Sequence, residues 1–184
     1  MAKQPVPHPI LMTPRLRLRQ FRDDDVDVMH ACFTNVGSMR FWNTPLHTKR
    51  IETDRAVPRF IDCTPSYHWF WAVADQATDH CLGLVNYHDG HIRDQRVAIG
   101  SIIDPPHRRR GIATEAVSAM LRFGFQELGL HRLQAFIHPH NTPSRVLIEK
   151  LRFRCEALLR ENLRVGDEWR DDVLYALLST DRSG

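Results

Sequence analysis

The chain has no apolar run that approaches the ~20 residues needed to cross a bilayer. Residues 1–9 are rich in proline and lack the apolar core of a signal peptide. We therefore expect a cytoplasmic protein that does not contact a membrane. No internal repeat or low-complexity linker interrupts the 184 residues. This predicts a single domain over residues 1–184, with a core at about 11–178 and flexible tails at 1–10 and 179–184.

Cysteine is scarce and scattered. The four cysteines form no C-x-x-C pair, and they lie at Cys32, Cys63, Cys81 and Cys155. This spacing argues against both a disulfide framework and a zinc site. His138 and His140 lie close together in sequence, but two histidines without a third ligand make a poor metal site. We expect no metal.

The charges nearly balance, with 25 basic and 22 acidic residues and a formal net charge of +3. Such a small excess does not imply a nucleic-acid partner. The arginines nevertheless cluster at residues 15–22 and 108–110. The first cluster alternates with Leu16 and Leu18, which predicts a strand at a solvated sheet edge. A nucleic-acid binder built on the two clusters stays a weaker alternative, and its affinity would fall steeply with salt.

The most informative segment runs from His107 to Ala116, where three arginines and a glycine precede an amphipathic stretch. Apolar or small residues then recur at helical spacing, at Ala113, Ala116, Val117, Met120, Leu121, Gly124 and Leu128. A helix is therefore predicted to begin near Gly111. Its first turn has N–H groups without partners and partial positive charge, so it attracts anions. Because residues 97–103 are typical of a buried strand, the order strand, basic turn and helix predicts a phosphate-binding site.

Two familiar phosphate motifs are missing from this turn, the P-loop pattern G-x-x-x-x-G-K-[ST] and the dinucleotide pattern G-x-G-x-x-G. The turn contains instead R-x-x-G-x-A, from Arg108 to Ala113. This motif is similar to the pyrophosphate-binding turn of the GNAT superfamily of N-acetyltransferases, which use acetyl-CoA as a co-substrate.

Further segments resemble the RimJ/RimL branch of that superfamily, the ribosomal-protein N-acetyltransferases. Residues 13–19 are similar to the opening strand of the branch, and residues 166–177 are similar to its final hairpin. Between them, Asn141 and Ser144 match N-x-x-S. Residues 149–153 match E-K-L-G-F, except that Arg152 stands in place of the glycine. The resemblance spans residues 11–178.

The resemblance implies an α/β fold, with a mixed, mostly antiparallel central sheet splayed around the cofactor and helices on both faces. Capping and periodicity predict helices that begin at residues 23–25 and at Thr48, the second kinked or ended by Pro58. A long helix follows Gly111, and a short one covers residues 141–151. The predicted strands lie at residues 13–19, 69–74, 82–88, 97–103, 133–137, 155–163 and 170–178.

The resemblance also implies the cofactor-binding residues. Ser101, Ile102 and Ile103 would offer backbone groups to the pantetheine arm, and Asn141 would hold that arm or the strand end. Backbone N–H groups from Arg109 to Thr114 would bind the pyrophosphate, with charge-assisted bonds from arginine side chains. The residues of that turn are Arg108, Arg109, Arg110, Gly111, Ile112, Ala113 and Thr114.

Three residues are candidates for the chemistry. Many superfamily members have a tyrosine seven residues after the asparagine, where this chain has Ile148. The resemblance therefore puts Ser144 forward as the partner of the CoA thiolate. Glu161 lies near the position at which this branch can carry a catalytic glutamate, although a one-residue slip would place Asn162 there. His88 is the runner-up as general base, because its unperturbed pKa of ~6.5 suits the task.

The implied reaction is direct attack of a neutral primary amine on the thioester, without a covalent enzyme intermediate. At neutral pH a lysine amine loses its proton at a cost of roughly 4 to 5 kcal/mol, against about 1 kcal/mol for an α-amine. A protein or peptide N-terminal α-amine is therefore the favoured acceptor, beside a pocket that residues 39–43 would border. Alternatives are a polyamine, an antibiotic or metabolite amine, and a non-catalytic CoA-binding regulatory module. We expect a monomer or homodimer.

Overall fold

The computed structural model describes residues 8–61 and 68–182, and its centre is an eight-stranded sheet in the order β1-β2-β3-β4-β5-β6-β8-β7. Neighbouring strands are antiparallel except for the parallel pair β5 and β6. The expected mixed, mostly antiparallel sheet is thus confirmed. The strands are β1 (Leu11–Met12), β2 (Leu16–Arg19), β3 (Phe70–Asp75), β4 (Cys81–His91), β5 (Arg96–Ile103), β6 (Arg132–Ile137), β7 (Arg154–Val165) and β8 (Glu168–Leu178).

Helices cover both faces of the sheet. Because successive side chains of a strand point to opposite faces, each face has its own core. Leu84 and Ile102 pack with Met29 and Phe33 on one face, and Tyr87 packs with the long helix on the other. The helices of the first face are α1 (Val26–Thr34), α2 (Val36–Met39), α3 (Arg50–Ala56) and α4 (Pro58–Ile61); those of the second are α5 (Ile112–Gln126) and α6 (Thr142–Lys150).

Helix α5 confirms the predicted amphipathic segment and its start. Its apolar stripe is buried, including Ala116, Val117 and Met120. The hydroxyl of Tyr87 donates a hydrogen bond to the carbonyl of Met120. A Cβ on Gly124 would lie 2.7 Å from that hydroxyl, so this position needs glycine if helix and sheet are to approach so closely.

The first arginine cluster was expected at a solvated sheet edge, and that expectation is wrong for β2. Strand β2 pairs with β1 on one side and β3 on the other. Arg19 is only 4% exposed. Its Nη1 lies 2.7 Å from Asp25 and its Nε lies 3.0 Å from Asp79. A charged side chain tolerates such burial only when it is paired, and both partners come from other elements. Residues 13–15 form a bend, so the strand predicted at 13–19 begins only at Leu16, and a separate short strand precedes it at Leu11–Met12.

Local differences also mark the helices before β3. Residues Asp23–Asp25 form a 3₁₀ turn ahead of α1 rather than a cap alone. The second predicted helix begins after Lys49 rather than Thr48, and it ends at Ala56 before resuming as α4 at Pro58. A proline cannot donate the hydrogen bond that a continuous helix requires. The four-residue α2, capped by the side chain of Asn35, was not predicted.

The structure describes short segments of both predicted tails, residues 8–10 and 179–182. His8 Nε2 lies 2.9 Å from the carbonyl oxygen of Phe70, and Trp71 Nε1 donates to the carbonyl of Pro9. At the other end Ser179–Arg182 form a 3₁₀ turn. The rest of the predicted tails and Cys63 lie outside the described residues. Within residues 8–61 and 68–182, no helix is both long and apolar enough to span a bilayer.

Candidate active site

The two parallel strands at the centre of the sheet diverge. β5 pairs with β6 only from Arg96 to Ala98, whereas it pairs with β4 as far as Ile103. The gap opens a cavity of about 640 Å³ that is lined by both strands, by the start of α5 and by α6. The predicted splay is therefore present, and it lies next to the basic turn.

The turn between β5 and α5 offers a row of free hydrogen-bond donors. Arg109 and Gly111 have φ values of 60° and 77°, so the chain bends through the left-handed region before the helix begins. Among the described residues, the backbone N–H groups of residues 109–114 have no hydrogen-bond partner. Consecutive N–H groups of this kind at a helix N-terminus form an anion-binding cradle. The chemistry of this donor set fits a diphosphate.

The side chain of Arg108 is already committed within the protein. Its Nε donates to the carbonyl of Ile103 at 2.9 Å, and its Nη2 donates to the hydroxyl of Ser38 on α2. The predicted contact between this guanidinium and the diphosphate would have to replace or share these bonds. Arg109, in contrast, is exposed and lines the cavity.

Glu115 stabilises the turn from behind. Its Oε1 accepts from the hydroxyl of Thr13 at 2.6 Å, and its Oε2 pairs with Arg15 at 2.6 Å. Arg15 also donates to the carbonyl of Arg110 at 3.1 Å. Burial raises the pKa of Glu115, but the bonds from Thr13 and Arg15 outweigh it and hold the pKa below its usual value. Glu115 is thus an anchor for the turn, since its carboxylate is fully engaged.

The predicted pantetheine-binding backbone is only partly turned to the gap. In an antiparallel pair, alternate residues direct both their N–H and C=O groups toward the partner strand. Ile102 is paired with Leu84, and its carbonyl oxygen lies beside Gly83, so its polar groups face β4. Ser101 and Ile103, one residue to either side, direct their polar groups toward the gap.

The start of α6 forms the opposite wall. Asn141 caps this helix, and its Oδ1 accepts from the N–H of Ser144 at 3.3 Å. Ser144 lines the cavity, and its hydroxyl has no hydrogen-bond partner among the described residues. Ile148, which replaces the tyrosine common in the superfamily, is also part of the lining. The thiol-facing role proposed for Ser144 therefore has a free hydroxyl available.

Aromatic side chains close the end of the cavity that faces α2. Phe41 and Trp42 line it, as expected for residues 39–43, together with His138 from the end of β6. The rings of Phe41 and His138 lie 4.8 Å apart. Arg170 of β8 holds this wall through a 3.2 Å bond to the carbonyl of Arg40.

The sequence analysis considered His138 only as a metal ligand and did not place it in the cavity lining. The sequence signal that could have identified His138 was its position at the end of a predicted strand, three residues before Asn141. Burial lowers the pKa of His138, and the neighbouring His140 lowers it further. The Nδ1 of His138 accepts the backbone N–H of His140 at 3.2 Å, so the neutral ring carries its proton on Nε2.

The two predicted general bases lie outside the lining. Glu161 sits on a bulge of β7 with φ 50°, is exposed, and has its N–H bonded to Asp171. His88 lies on β4 behind the cavity wall, with its Cε1 3.7 Å from the place where a Cβ of Gly100 would be. Burial lowers the pKa of His88. His88 thus adjoins Gly100, a residue of the cavity lining, and burial favours the neutral form of its ring.

Within 8–61 and 68–182, no group of three or more histidine, cysteine, aspartate or glutamate side chains is arranged to hold a metal ion. Cys32 and Cys81 are buried and Cys155 is exposed, and all three are free thiols.

Comparison with known proteins agrees with this geometry. Residues 15–154 match the family model described as the acetyltransferase (GNAT) domain. The uncharacterized N-acetyltransferase YoaA of Bacillus subtilis (strain 168) is 28% identical over 178 residues, which cover 92% of this chain and 97% of that protein. The ribosomal protein uS5-alanine N-acetyltransferase of Escherichia coli (strain K12) is 32% identical over 115 residues, 61% of this chain and 59% of that protein.

Solved structures share the fold. A GNAT acetyltransferase from Bacillus anthracis superposes with a TM-score of 0.83 at 26% identity, covering 94% of this chain and 99% of that one. A spermidine N-acetyltransferase from Vibrio cholerae, solved in complex with CoA and spermine, has a TM-score of 0.78 at 21% identity, covering 91% and 98%. The divergent strands, the donor-rich turn and these matches show that the chain belongs to the GNAT acetyltransferase family and is an acetyl-CoA-dependent N-acetyltransferase.

Proposed function

We propose that this enzyme acetylates the α-amine at the N-terminus of a protein or peptide. The observation that carries the proposal is the chemistry of the acceptor end, where Phe41, Trp42 and His138 form a neutral, aromatic wall. No carboxylate lines the cavity among the described residues. A polyamine carries several positive charges, and its binding would call for acidic side chains that this lining does not supply.

The lack of a lining carboxylate also bears on proton removal. An α-amine with a pKa of ~7.7 to 8.0 is partly neutral at physiological pH, whereas a lysine or polyamine amine is not. A cavity whose described lining holds no carboxylate therefore suits an acceptor amine that is already partly deprotonated at physiological pH. The uS5-alanine N-acetyltransferase among the relatives carries an α-amine acceptor in its name, which supports the same class.

The cofactor supplies an acetyl group activated as a thioester. The free N–H groups of residues 109–114, with Arg109 and Arg110 nearby, would hold its diphosphate. The gap-facing backbone groups of Ser101 and the N–H of Ile103 would bind the pantetheine arm, with Asn141 at the far wall; the carbonyl of Ile103 already accepts from Arg108. Holding two reactants in line in this way can lower a barrier by ~7 to 11 kcal/mol.

Two side chains would move protons. Ser144 would donate a hydrogen bond to the departing sulfur through its free hydroxyl. We assign proton acceptance from the amine to His88 ahead of Glu161, because the ring is neutral at pH 7 and lies just behind Gly100. His138 would orient the acceptor as a hydrogen-bond donor, since its Nδ1 is already occupied.

A thiol-release assay tests the acceptor class. Peptides with free alanine or serine N-termini are compared with the same peptides blocked at the N-terminus and carrying one lysine, and with spermidine. We expect kcat/KM for the free N-termini to exceed that for the blocked lysine peptides by at least about tenfold at pH 7, as the difference in amine pKa requires. Preferred turnover of spermidine or of the lysine peptides would overturn the proposal.

A further inference from the structure

A second hollow, of about 460 Å³, lies in the groove between α5 and α6. Its polar lining is mostly basic, with Arg122 from α5, and Lys150 and Arg152 from the end of α6. Lys150 lines the main cavity as well, so the two spaces adjoin. The one acidic residue of the lining, Asp181, is engaged by Arg154 at 3.0 Å.

Within the described part of the chain, the three cations have no ion-pair partner. Among the side chains of residues 8–61 and 68–181, none forms an ion pair or a hydrogen bond with those of Arg122, Lys150 or Arg152. Like charges brought into one hollow repel each other unless an anion lies between them. The charge of Lys150 at the end of α6 interacts favourably with the helix dipole. The dipole does not account for the charge of Arg122, which lies in the middle of α5.

Arg152 occupies a backbone position at which glycine would be less strained. The N–H of Arg152 bonds to the carbonyl of Glu149 and the N–H of Phe153 to the carbonyl of Ile148. This is the Schellman ending of a helix, which places its C′ residue in the left-handed region, and Arg152 has φ 67°. An arginine at such a position is more strained than a glycine, so the turn itself does not account for this side chain.

The hollow lies along α5, about two helical turns beyond the donor-rich turn. Thr114, Ser118 and Arg122 are spaced at i, i+4 and i+8, so they form one line on the helix surface. At 1.5 Å per residue, Ser118 and Arg122 lie about 6 and 12 Å beyond the last free N–H group of the turn. In coenzyme A a single ribose joins the diphosphate to a phosphate monoester at the 3′ position.

We propose that Arg122, Lys150 and Arg152 form a phosphate-monoester site that receives the 3′-phosphate of the cofactor. This inference rests on the cofactor position given in the proposed function, and it adds selectivity for the phosphorylated adenosine. The chain thereby distinguishes coenzyme A from dephospho-coenzyme A.

Isothermal titration of the whole protein with these two ligands tests the site. Wild type is expected to bind coenzyme A at least about tenfold more tightly than dephospho-coenzyme A, the effect of one charge-assisted contact. Arg122→Gln and Arg152→Gly are expected to bind the two ligands equally, with the affinity for dephospho-coenzyme A unchanged. Arg93→Gln, at an exposed turn, is the matched control and keeps the full preference.

Arg152→Gly also provides a check on folding. Because glycine adopts a left-handed φ without strain, this variant is expected to melt a few degrees higher than wild type without ligand, while it gains less from coenzyme A. Equal binding of both ligands by wild type overturns the proposal, as does an equal loss for both ligands in the variants. Inorganic phosphate could also raise the melting temperature of wild type and lose this effect in Arg152→Gly. If wild type then shows no preference for coenzyme A over dephospho-coenzyme A, the site binds a free anion and the cofactor assignment is overturned. If no amine is acetylated but the preference persists, the proposed function fails and this site stands.

Discussion

Arg108 and Ser38 join the two halves of the active site. The guanidinium of Arg108, in the donor-rich turn, donates to the hydroxyl of Ser38 on α2, and α2 leads into the aromatic wall of the acceptor end. Arg108 therefore links the donor-rich turn to the segment that carries Phe41 and Trp42. The turn and the wall can be expected to move together.

Ser38→Ala should separate these two sides. We expect the KM for the acceptor to rise by about tenfold, because the wall loses a hydrogen bond to a charged group, while the Kd for acetyl-CoA stays within twofold. Steady-state kinetics and titration measure the two quantities. Ser179→Ala removes a hydroxyl that contacts His131 at 3.0 Å far from the cavity, and it should change neither. A parallel rise in both constants would show that Arg108 serves the diphosphate instead.

Two glycines with left-handed backbones allow loss of anion binding to be distinguished from the effect of backbone strain. Gly111 has φ 77° and Gly129 has φ 65°, so aspartate at either position costs about 1 to 2 kcal/mol of stability. Only Gly111→Asp also places a carboxylate beside the free N–H groups. Its affinity for acetyl-CoA should fall by at least about a hundredfold, since like charges in contact cost several kcal/mol. The affinity of Gly129→Asp for acetyl-CoA should match that of wild type. Comparable affinity in both variants would show that the free N–H groups of the turn do not bind the diphosphate.

Ser144→Ala addresses the departing sulfur. The N–H of Ser144 is held by Asn141, and this bond survives the substitution, so α6 keeps its cap. We expect kcat to fall by about a hundredfold, the size of a general-acid contribution, with little change in the Kd for acetyl-CoA. A thiol-release assay measures kcat, and isothermal titration measures the Kd for acetyl-CoA. Equal losses in both would deny the hydroxyl a part in the chemical step.

The pH dependence of kcat distinguishes the two predicted bases. Burial lowers the pKa of His88, so the neutral ring is present above that lowered pKa and activity is lost as the pH falls through it. The acid limb of kcat at saturating acceptor should therefore lie below the usual histidine value of ~6.5. His88→Gln should abolish that limb and Glu161→Gln should retain it. The reverse pattern would return the role to Glu161.

The buried arginine of β2 makes a prediction about stability. Arg19→Met leaves Asp25 buried at 3% exposure without its partner, which should cost about 3 to 5 kcal/mol in urea unfolding. Arg17→Met is the control, because Arg17 is 40% exposed and lies 3.9 Å from Asp79; it should cost less than about 1 kcal/mol. Similar losses would mean that burial of the pair is unimportant.

Asp79 adds a pH dependence to the same network. Burial raises its pKa, but Arg19 and Arg22 outweigh this and lower it overall. Because the folded pKa is depressed, the stabilisation is present above the unfolded value of ~3.9 and is lost as the pH falls through the folded pKa. Unfolding midpoints of wild type should fall in that acid range, and those of Arg19→Met should fall less.

The sequence predicted what short-range patterns determine. Helix α5, the turn before it and seven of the eight strands follow from periodicity and glycine chemistry within a few residues, and β1 was not predicted. The environment of Arg19 does not, because Asp79 is 60 residues away and only the folded sheet brings it near. The same reason explains Ser38, whose partner Arg108 is 70 residues away.

The aromatic wall of the cavity was harder to predict than the donor-rich turn. Helix α2 has four residues, which is too short for a 3.6-residue period to be visible. His138 belongs to no local motif of its own, and its contact with Phe41 joins the end of β6 to the α2 segment. Binding of a diphosphate relies on consecutive N–H groups in one turn, whereas binding of an acceptor relies on side chains from several elements.

The divergence of β5 from β6 has a consequence for hydrogen exchange. Beyond Ala98 the inner edge of β5 has no strand beside it in the described structure, so amides such as that of Ser101 should exchange with solvent deuterium quickly, although they belong to the middle of a sheet. A thioester ligand that lies along this edge would act as a ninth strand. Mass spectrometry of the empty and the loaded protein should then find the largest slowing in the interior of the molecule rather than at its surface loops.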